Sequence, residues 1–166
     1  MKLIALILLI LLLPLSILVA IALFISSPGA IIFSQERVGQ HKIPFTIHKF
    51  RTMKNGKITF AGKVVRKLGL DEIPQFWNIV KGEMAFVGPR PLTQFDIDRL
   101  GWNTEKASNR WNVLPGITGP AQLTNICNAD LSLSKDLTYV EQRSSSHDLK
   151  IVMRSALVPI IGKHTS

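Results

Sequence analysis

From Leu3 to Ile25 the chain is almost wholly Leu, Ile, Val, Ala and Phe. As a helix, at ~1.5 Å per residue, that run is long enough to cross a ~30 Å hydrocarbon core. A secretory signal peptide would carry a shorter apolar region and a small-residue cleavage site. Pro14 lies near the middle, where it removes one backbone hydrogen bond and crowds the carbonyl of Ile10. The run is therefore predicted to bend there, with Ser16 placed to re-satisfy freed backbone. Ser26, Ser27, Pro28 and Gly29 end it. A bent helix that spans leaves Met1 on the far side, whereas one that folds back returns both ends to one side. Lys2 with the free amine at one flank, and Arg37 and later cations at the other, favour the return.

Beyond the apolar run the pattern changes to short segments. Ala30 to Phe33 is apolar and too short for a second membrane segment, and SQERVGQHK reads as a polar turn. Ile43 to Met53 alternates, with Phe45, Ile47 and Lys49 against Thr46, His48 and Phe50, and is predicted as a strand or an interfacial segment. Lys54 to Gly62 reads as a polar loop. Leu70, Ile73, Trp77 and Val80 recur at helical spacing, and Pro74 suits only a first turn, so a helix should start close to Asp71 and end at Gly82. Met84 to Val87 follows as a short buried strand, then Gly88-Pro89-Arg90-Pro91. Phe95 to Trp111 is polar and helical in pattern, with Leu100 and Trp102 as core or interface contacts, and LPGITG reads as a tight turn. A polar region, Asn125 to Asp136, precedes a short amphipathic stretch to Arg143. His147 to Ile161 has the helical spacing of an interfacial helix or of a helix docked on a globule, with Ala156, Leu157 and Ile160 on its apolar side.

Charge sharpens this division. Residues 3–34 hold no Asp, Glu, Lys, Arg or His, so all 11 acidic residues and all but one of the 20 Lys and Arg lie beyond them. A basic globule beside an apolar anchor suits an anionic leaflet or anionic substrates. The aromatics form no base-stacking platform, so nucleic acid is not an expected partner. The lone cysteine, Cys127, excludes an internal disulfide, and the four histidines show no metal-ligand spacing. Nothing in the pattern sets an oligomeric state.

Candidate chemistry centres on RKLGLDEIPQ. Asp71 and Glu72 fall at the predicted helix start, where the dipole and unpaired N–H groups favour ionised carboxylates, with Arg66 and Lys67 just ahead. Taken alone, the pair is better read as a capping Asp with a first-turn Glu. Lys49 and Arg51 share a face if extended and are placed to clamp a phosphate, or else decorate a strand edge. Prolines on both sides of Arg90 fix its backbone for bidentate phosphate binding, or for a plain turn. The glycines of LPGITG suit either close approach to an anion or a change of direction.

The order of these blocks carries more than any one of them. QERVG, KFRTM, LDEIPQFWNIVKGEMAFVGPRP and LPGITGPAQ, behind an apolar N-terminal helix, resemble the bacterial sugar transferase family of small monotopic phosphoglycosyl transferases over nearly the whole chain. The resemblance implies an α+β fold: a re-entrant membrane helix over residues 1–28, turning at Pro14, and a small, mostly helical cytoplasmic domain over 29–166 with short strands and interfacial amphipathic helices. It implies transfer of a sugar 1-phosphate from a UDP-sugar to undecaprenyl phosphate with release of UMP. Such a step starts a surface glycan such as O-antigen, capsule, exopolysaccharide or a glycoprotein glycan. Asp71 is then the nucleophile, Glu72 its partner, and both are ligands to Mg²⁺. Arg66, Arg90, Lys49 and Arg51 are the implied phosphate contacts, and Pro89, Gly116, Thr118 and Gln122 mark the nucleotide-sugar region. Membrane lipids are implied partners, and the expected location is the cytoplasmic face of the bacterial inner membrane. Several features depart from relatives: Leu13 precedes Pro14 where Ser is usual, the loop between Met53 and Arg66 is short and lacks the acidic residues often found there, LTNICNA follows Gln122 where an Asn-Gly-Arg-like sequence is common, and Pro120 replaces a common Trp. The competing class is a non-catalytic basic scaffold on a membrane, with the acidic pair only a cap.

Overall fold

A computed structural model describes residues 1–123 and 128–161, with side chains through Ser155. The TNIC stretch from Thr124 to Cys127, and the side chains of Ala156, Leu157 and Ile160, lie outside the described residues. The architecture is mixed and mostly helical, in two compact units: Met1–Gln35 with Thr46–Gly82, and Glu36–Phe45 with the chain from Glu83 onward.

In the first unit the apolar run forms two helices, α1 (Lys2–Leu11) and α2 (Leu13–Ser26), meeting at Leu12. Pro14 sits in the first turn of α2, where its missing N–H costs nothing, and the Ser16 N–H donates to Leu12 O at 2.8 Å. The pair is bent by 60°. Among the described residues no single helix is long and apolar enough to cross a membrane, and the bent pair meets that test only together. Many of its side chains face outward, Leu3 and Leu11 at 68% and Ile25 at 75% exposure. Inward, Val19 and Leu23 pack with Phe50, Val65 and Ile73.

β1 (Ile32–Val38) pairs with β2 (Pro44–Phe50). The polar segment predicted as a turn is thus largely strand, and the reversal is confined to Gly39–Ile43, where Gly39 N donates to Ile43 O at 2.9 Å. β-Pairing overrode local polarity because one edge of β1 finds its partner in the alternating segment. β3 (Met53–Lys54) and β4 (Lys57–Ile58) pair antiparallel within the predicted polar loop. Asn55 and Gly56, at φ 50° and 75°, supply the left-handed turn that such a two-residue hairpin needs, a signal present in the sequence. α3 (Phe60–Lys67) is capped by Thr59, whose Oγ1 accepts from Gly62 N at 3.0 Å. A 3-10 segment, Leu70–Gln75, leads into α4 (Phe76–Lys81), which ends at Gly82 in the left-handed region as predicted.

In the second unit β5 (Ala85–Val87) follows, then α5 (Gln94–Leu100), held by a Thr93–Asp96 capping box. Another 3-10 segment spans Glu105–Asn112. β6 (Gly116–Thr118) pairs parallel with β5, Ala85 opposite Gly116 and Val87 opposite Thr118. LPGITG is therefore half strand rather than a turn. Its glycines serve backbone packing: a Cβ on Gly116 would collide with Gly88 N and Thr118 O, and one on Gly119 with Gly88 O. α6 (Pro120–Leu123) is followed by α7 (Ala129–Gln142) and α8 (Ser145–Ile161). α7 begins at an Asn128 cap, ahead of the amphipathic stretch read from Asp136. Val38, Ile97, Trp102, Trp111 and Leu133 form one core here, and Val87, Tyr139 and Ile151 another. On α8 Leu149, Val152 and Met153 are exposed while Ile151 is buried.

Candidate active site

The first unit gathers Asp71, Glu72, Lys49 and Arg66. Asp71 and Glu72 occupy the first turn of the Leu70–Gln75 segment, which the chain enters from Gly69 in the left-handed region. Both are half-buried. Lys49, near the end of β2, places Nζ 2.8 Å from Glu72 Oε1. The Arg66 guanidinium donates through Nε to Thr52 Oγ1 at 2.8 Å, and Nη2 reaches Met53 Sδ at 3.5 Å. Thr52 itself is buried, so α3 and the end of β2 fix where that cation starts from.

The electrostatics correct one expectation. The helix start was to favour the ionised carboxylate, yet the Asp71 carboxyl is pushed above its ordinary value, first by burial and then by the charge of Glu72; Lys49 and Arg66 pull it back only in part. The 3-10 turn offers the carboxylates little against that burial. The Glu72 N–H is already committed to Gly69 O at 3.3 Å, so fewer free donors face the carboxylates than an α-helical start would offer.

Arg51 is bonded to backbone carbonyls. Its Nη2 donates to Ser27 O at 2.7 Å and Pro28 O at 3.3 Å, closing the end of α2. Gly29, at φ 126°, leaves room for that guanidinium.

The second unit carries the proline-bracketed arginine. Arg90 is exposed while Pro89 and Pro91 are buried. Nearly every carbonyl around it has a donor: Tyr139 Oη on Val87 O at 3.2 Å, Gly116 N on Pro89 O at 3.0 Å, Arg110 Nη2 on Arg90 O at 2.6 Å, and Arg37 Nη1 on Pro91 O at 3.3 Å. Thr118 accepts Gly88 N at 2.9 Å through its backbone, and its Oγ1 meets Ser155 Oγ. Gln122 is half-buried in α6. Arg37 is held down in its basicity by burial and by the charge of Arg90, against the pull of Asp96. Nothing in the sequence placed Arg110 and Tyr139 beside Arg90, and Arg37 is expected only as a charge flanking the apolar run; the adjacency of Arg110 to Trp111 alone hints at a cation within aromatic core.

Among the described residues no cluster of three or more His, Cys, Asp or Glu is placed to hold a metal. The Asp71–Glu72 pair nonetheless fits Mg²⁺, which takes one or two carboxylates and completes its shell with water and substrate phosphate oxygens. The like charges that push Asp71 up are what such an ion would relieve.

The half-buried carboxylates of Asp71 and Glu72 thus lie in the field of two cations, Lys49 and Arg66. Residues 2–162 match the family model described as bacterial sugar transferase, and the chain belongs to that family. It is 40% identical over 146 residues to the uncharacterized sugar transferase EpsL of Bacillus subtilis, covering 80% of this chain and 70% of that one. A UDP-N-acetylgalactosamine-undecaprenyl-phosphate N-acetylgalactosaminephosphotransferase of Aeromonas hydrophila is 34% identical over 90% of this chain and 40% of its own length. For a UDP-glucose:undecaprenyl-phosphate glucose-1-phosphate transferase of Caulobacter vibrioides the identity is 31%, over 86% of this chain and 61% of that protein. This chain thus spans less than two thirds of the latter two relatives.

Proposed function

We propose that this chain transfers a sugar 1-phosphate from a UDP-sugar to undecaprenyl phosphate, releasing UMP, by way of a phosphosugar ester on Asp71. The observation that carries the reading is the asymmetry of the dyad. Lys49 is bonded to Glu72, while Asp71 is the partly desolvated carboxyl whose affinity for a proton is raised. A desolvated carboxylate is the more reactive toward an electrophilic centre, and Lys49 and Arg66 keep its anionic form accessible.

In the first half-reaction an Asp71 carboxylate oxygen bonds to the β-phosphorus, and the bond from that phosphorus to the bridging oxygen breaks. UMP leaves with that electron pair. An oxygen of undecaprenyl phosphate then bonds to the same phosphorus and the Asp71 ester bond breaks, restoring the carboxylate. Glu72 takes any proton carried by the incoming phosphate. Arg66, with Arg90 and Lys49 as further contacts, offsets negative charge on the phosphates. Asp71 and Glu72 would hold Mg²⁺, which when bound supplies charge neutralisation at the phosphoryl oxygens. Pro89, Gly116, Thr118 and Gln122 are assigned to the nucleotide-sugar region.

The membrane part of the reading assigns residues 1–28 to a re-entrant hairpin and 29–166 to a catalytic domain on the cytoplasmic face of the bacterial inner membrane. The 60° bend and the outward apolar side chains of α1 and α2 support it. The test is UMP release from a panel of UDP-sugars with undecaprenyl phosphate and Mg²⁺, alongside capture of labelled sugar phosphate on the protein. Both signals are expected from the native chain and neither from Asp71→Asn. An active Asp71→Asn enzyme would sink the assignment.

A further inference from the structure

Arg110 and Asp136 form an ion pair with 2% side-chain exposure on each partner, Nε to Oδ2 at 2.9 Å. The guanidinium lies over Trp102 and Trp111, 5.2 and 4.8 Å from the ring centroids. A buried pair of this kind is weak evidence for a role in stability. Burial pushes Arg110 down and Asp136 up despite their mutual attraction, and Asp136 Oδ1 has no hydrogen-bond partner among the described residues. Buried pairs of this kind are commonly replaced by apolar residues without loss of stability.

The remaining arm of the guanidinium is informative. Nη2 donates to Arg90 O at 2.6 Å. Within Pro89-Arg90-Pro91 only Arg90 has a backbone N–H, so donors to the carbonyls decide how the Arg90 Cα is oriented. Arg110 is too deeply buried to meet a ligand, and its effect on chemistry must pass through Arg90.

We infer that the Arg110–Asp136 pair is a positioning device for Arg90, with Asp136 aiming the Arg110 fork and Arg110 holding the Arg90 carbonyl so that the exposed guanidinium meets a phosphate. The inference rests on the reading of Arg90 as a phosphate contact. It assigns Arg110 and Asp136 to recognition of the ligand's phosphate, not of its base or ribose.

The test compares equilibrium binding of UDP and of uridine to the purified full-length chain, with thermal melting alongside. Native protein is expected to prefer UDP, and Arg90→Ala to lose most of that preference. The double variant Arg110→Met/Asp136→Leu is expected to melt near the native temperature, bind uridine unchanged and weaken for UDP about tenfold. Arg110→Lys keeps a charge for Asp136 but lacks the planar fork that serves both acceptors; it is expected to show the same selective loss. If the double variant does not fold, Arg110→Lys decides the matter. Arg90→Ala with native UDP preference would overturn the phosphate role of Arg90 and this inference with it. Loss in Arg90→Ala with native UDP binding in a folded Arg110 variant would overturn the positioning role alone.

Discussion

Lys49 Nζ sits 2.8 Å from Glu72 Oε1, so the cation nearest the acidic pair is bonded to the second carboxylate and acts on the first, Asp71, only through space. The bond crosses from β2 to the 3-10 turn, and it couples the charge state of the dyad to a strand that carries no acidic residue of its own.

The charge of Lys49 lowers the proton affinity of Asp71, which burial and Glu72 raise. Lys49→Met should therefore move the acidic limb of the kcat/KM–pH profile to higher pH, with a larger loss of transfer at pH 6 than at pH 8. The profile of UMP release against pH checks this. An unmoved limb would mean that the limb does not report Asp71.

Asp71 also makes a prediction about stability. Its folded-state carboxyl binds a proton more tightly than in the unfolded chain, so stability falls as pH rises from the ordinary carboxylate value through the raised one, and the deficit is fully present above it. Asp71→Asn should melt higher than the native chain at pH 7.5, with the difference shrinking towards pH 4, while transfer is lost. Thermal melts across that range measure it; a lower melting temperature at neutral pH would contradict a carboxyl destabilised by burial.

Gly116 and Gly101 separate crowding from backbone strain. Gly116→Ala should destabilise by about 3 kcal/mol, because its Cβ would meet the backbone of β5 and Thr118, which cannot move without opening the parallel pair. Gly101 is open to solvent at φ 68°, so Gly101→Ala should cost about 1 kcal/mol, the price of the left-handed conformation alone. Denaturant titration of both variants tests the order.

Arg51 closes the end of α2 through two carbonyls. Arg51→Met should destabilise by about 2 kcal/mol, as expected for a lost charge-assisted bond that leaves the part-buried Ser27 carbonyl unpaired. UDP affinity should stay within about twofold of native. A selective loss of UDP affinity without a change in melting would instead place Arg51 at the phosphate.

What the chain specifies locally was legible from its sequence. The bend of the apolar run at Pro14, the alternation that makes β2, the left-handed cap at Gly82, the short strand ending at Val87 and the carboxylate pair at the start of a helical turn all depend on neighbours a few residues away. Proline geometry, glycine freedom and side-chain period act at that range, and the order of the motifs was enough to place the chain in its family. Other features needed the tertiary structure. Gly116–Thr118 becomes a strand only because β5 lies beside it, and the glycines that looked suited to an anion are required where two backbones touch. Arg110 and Asp136 are ordinary charged residues until α7 and the second 3-10 segment bury them together. The direction of the Asp71 shift depends on how much water packing removes from the carboxyl, and desolvation is a property of the surrounding fold, with no local pattern to announce it.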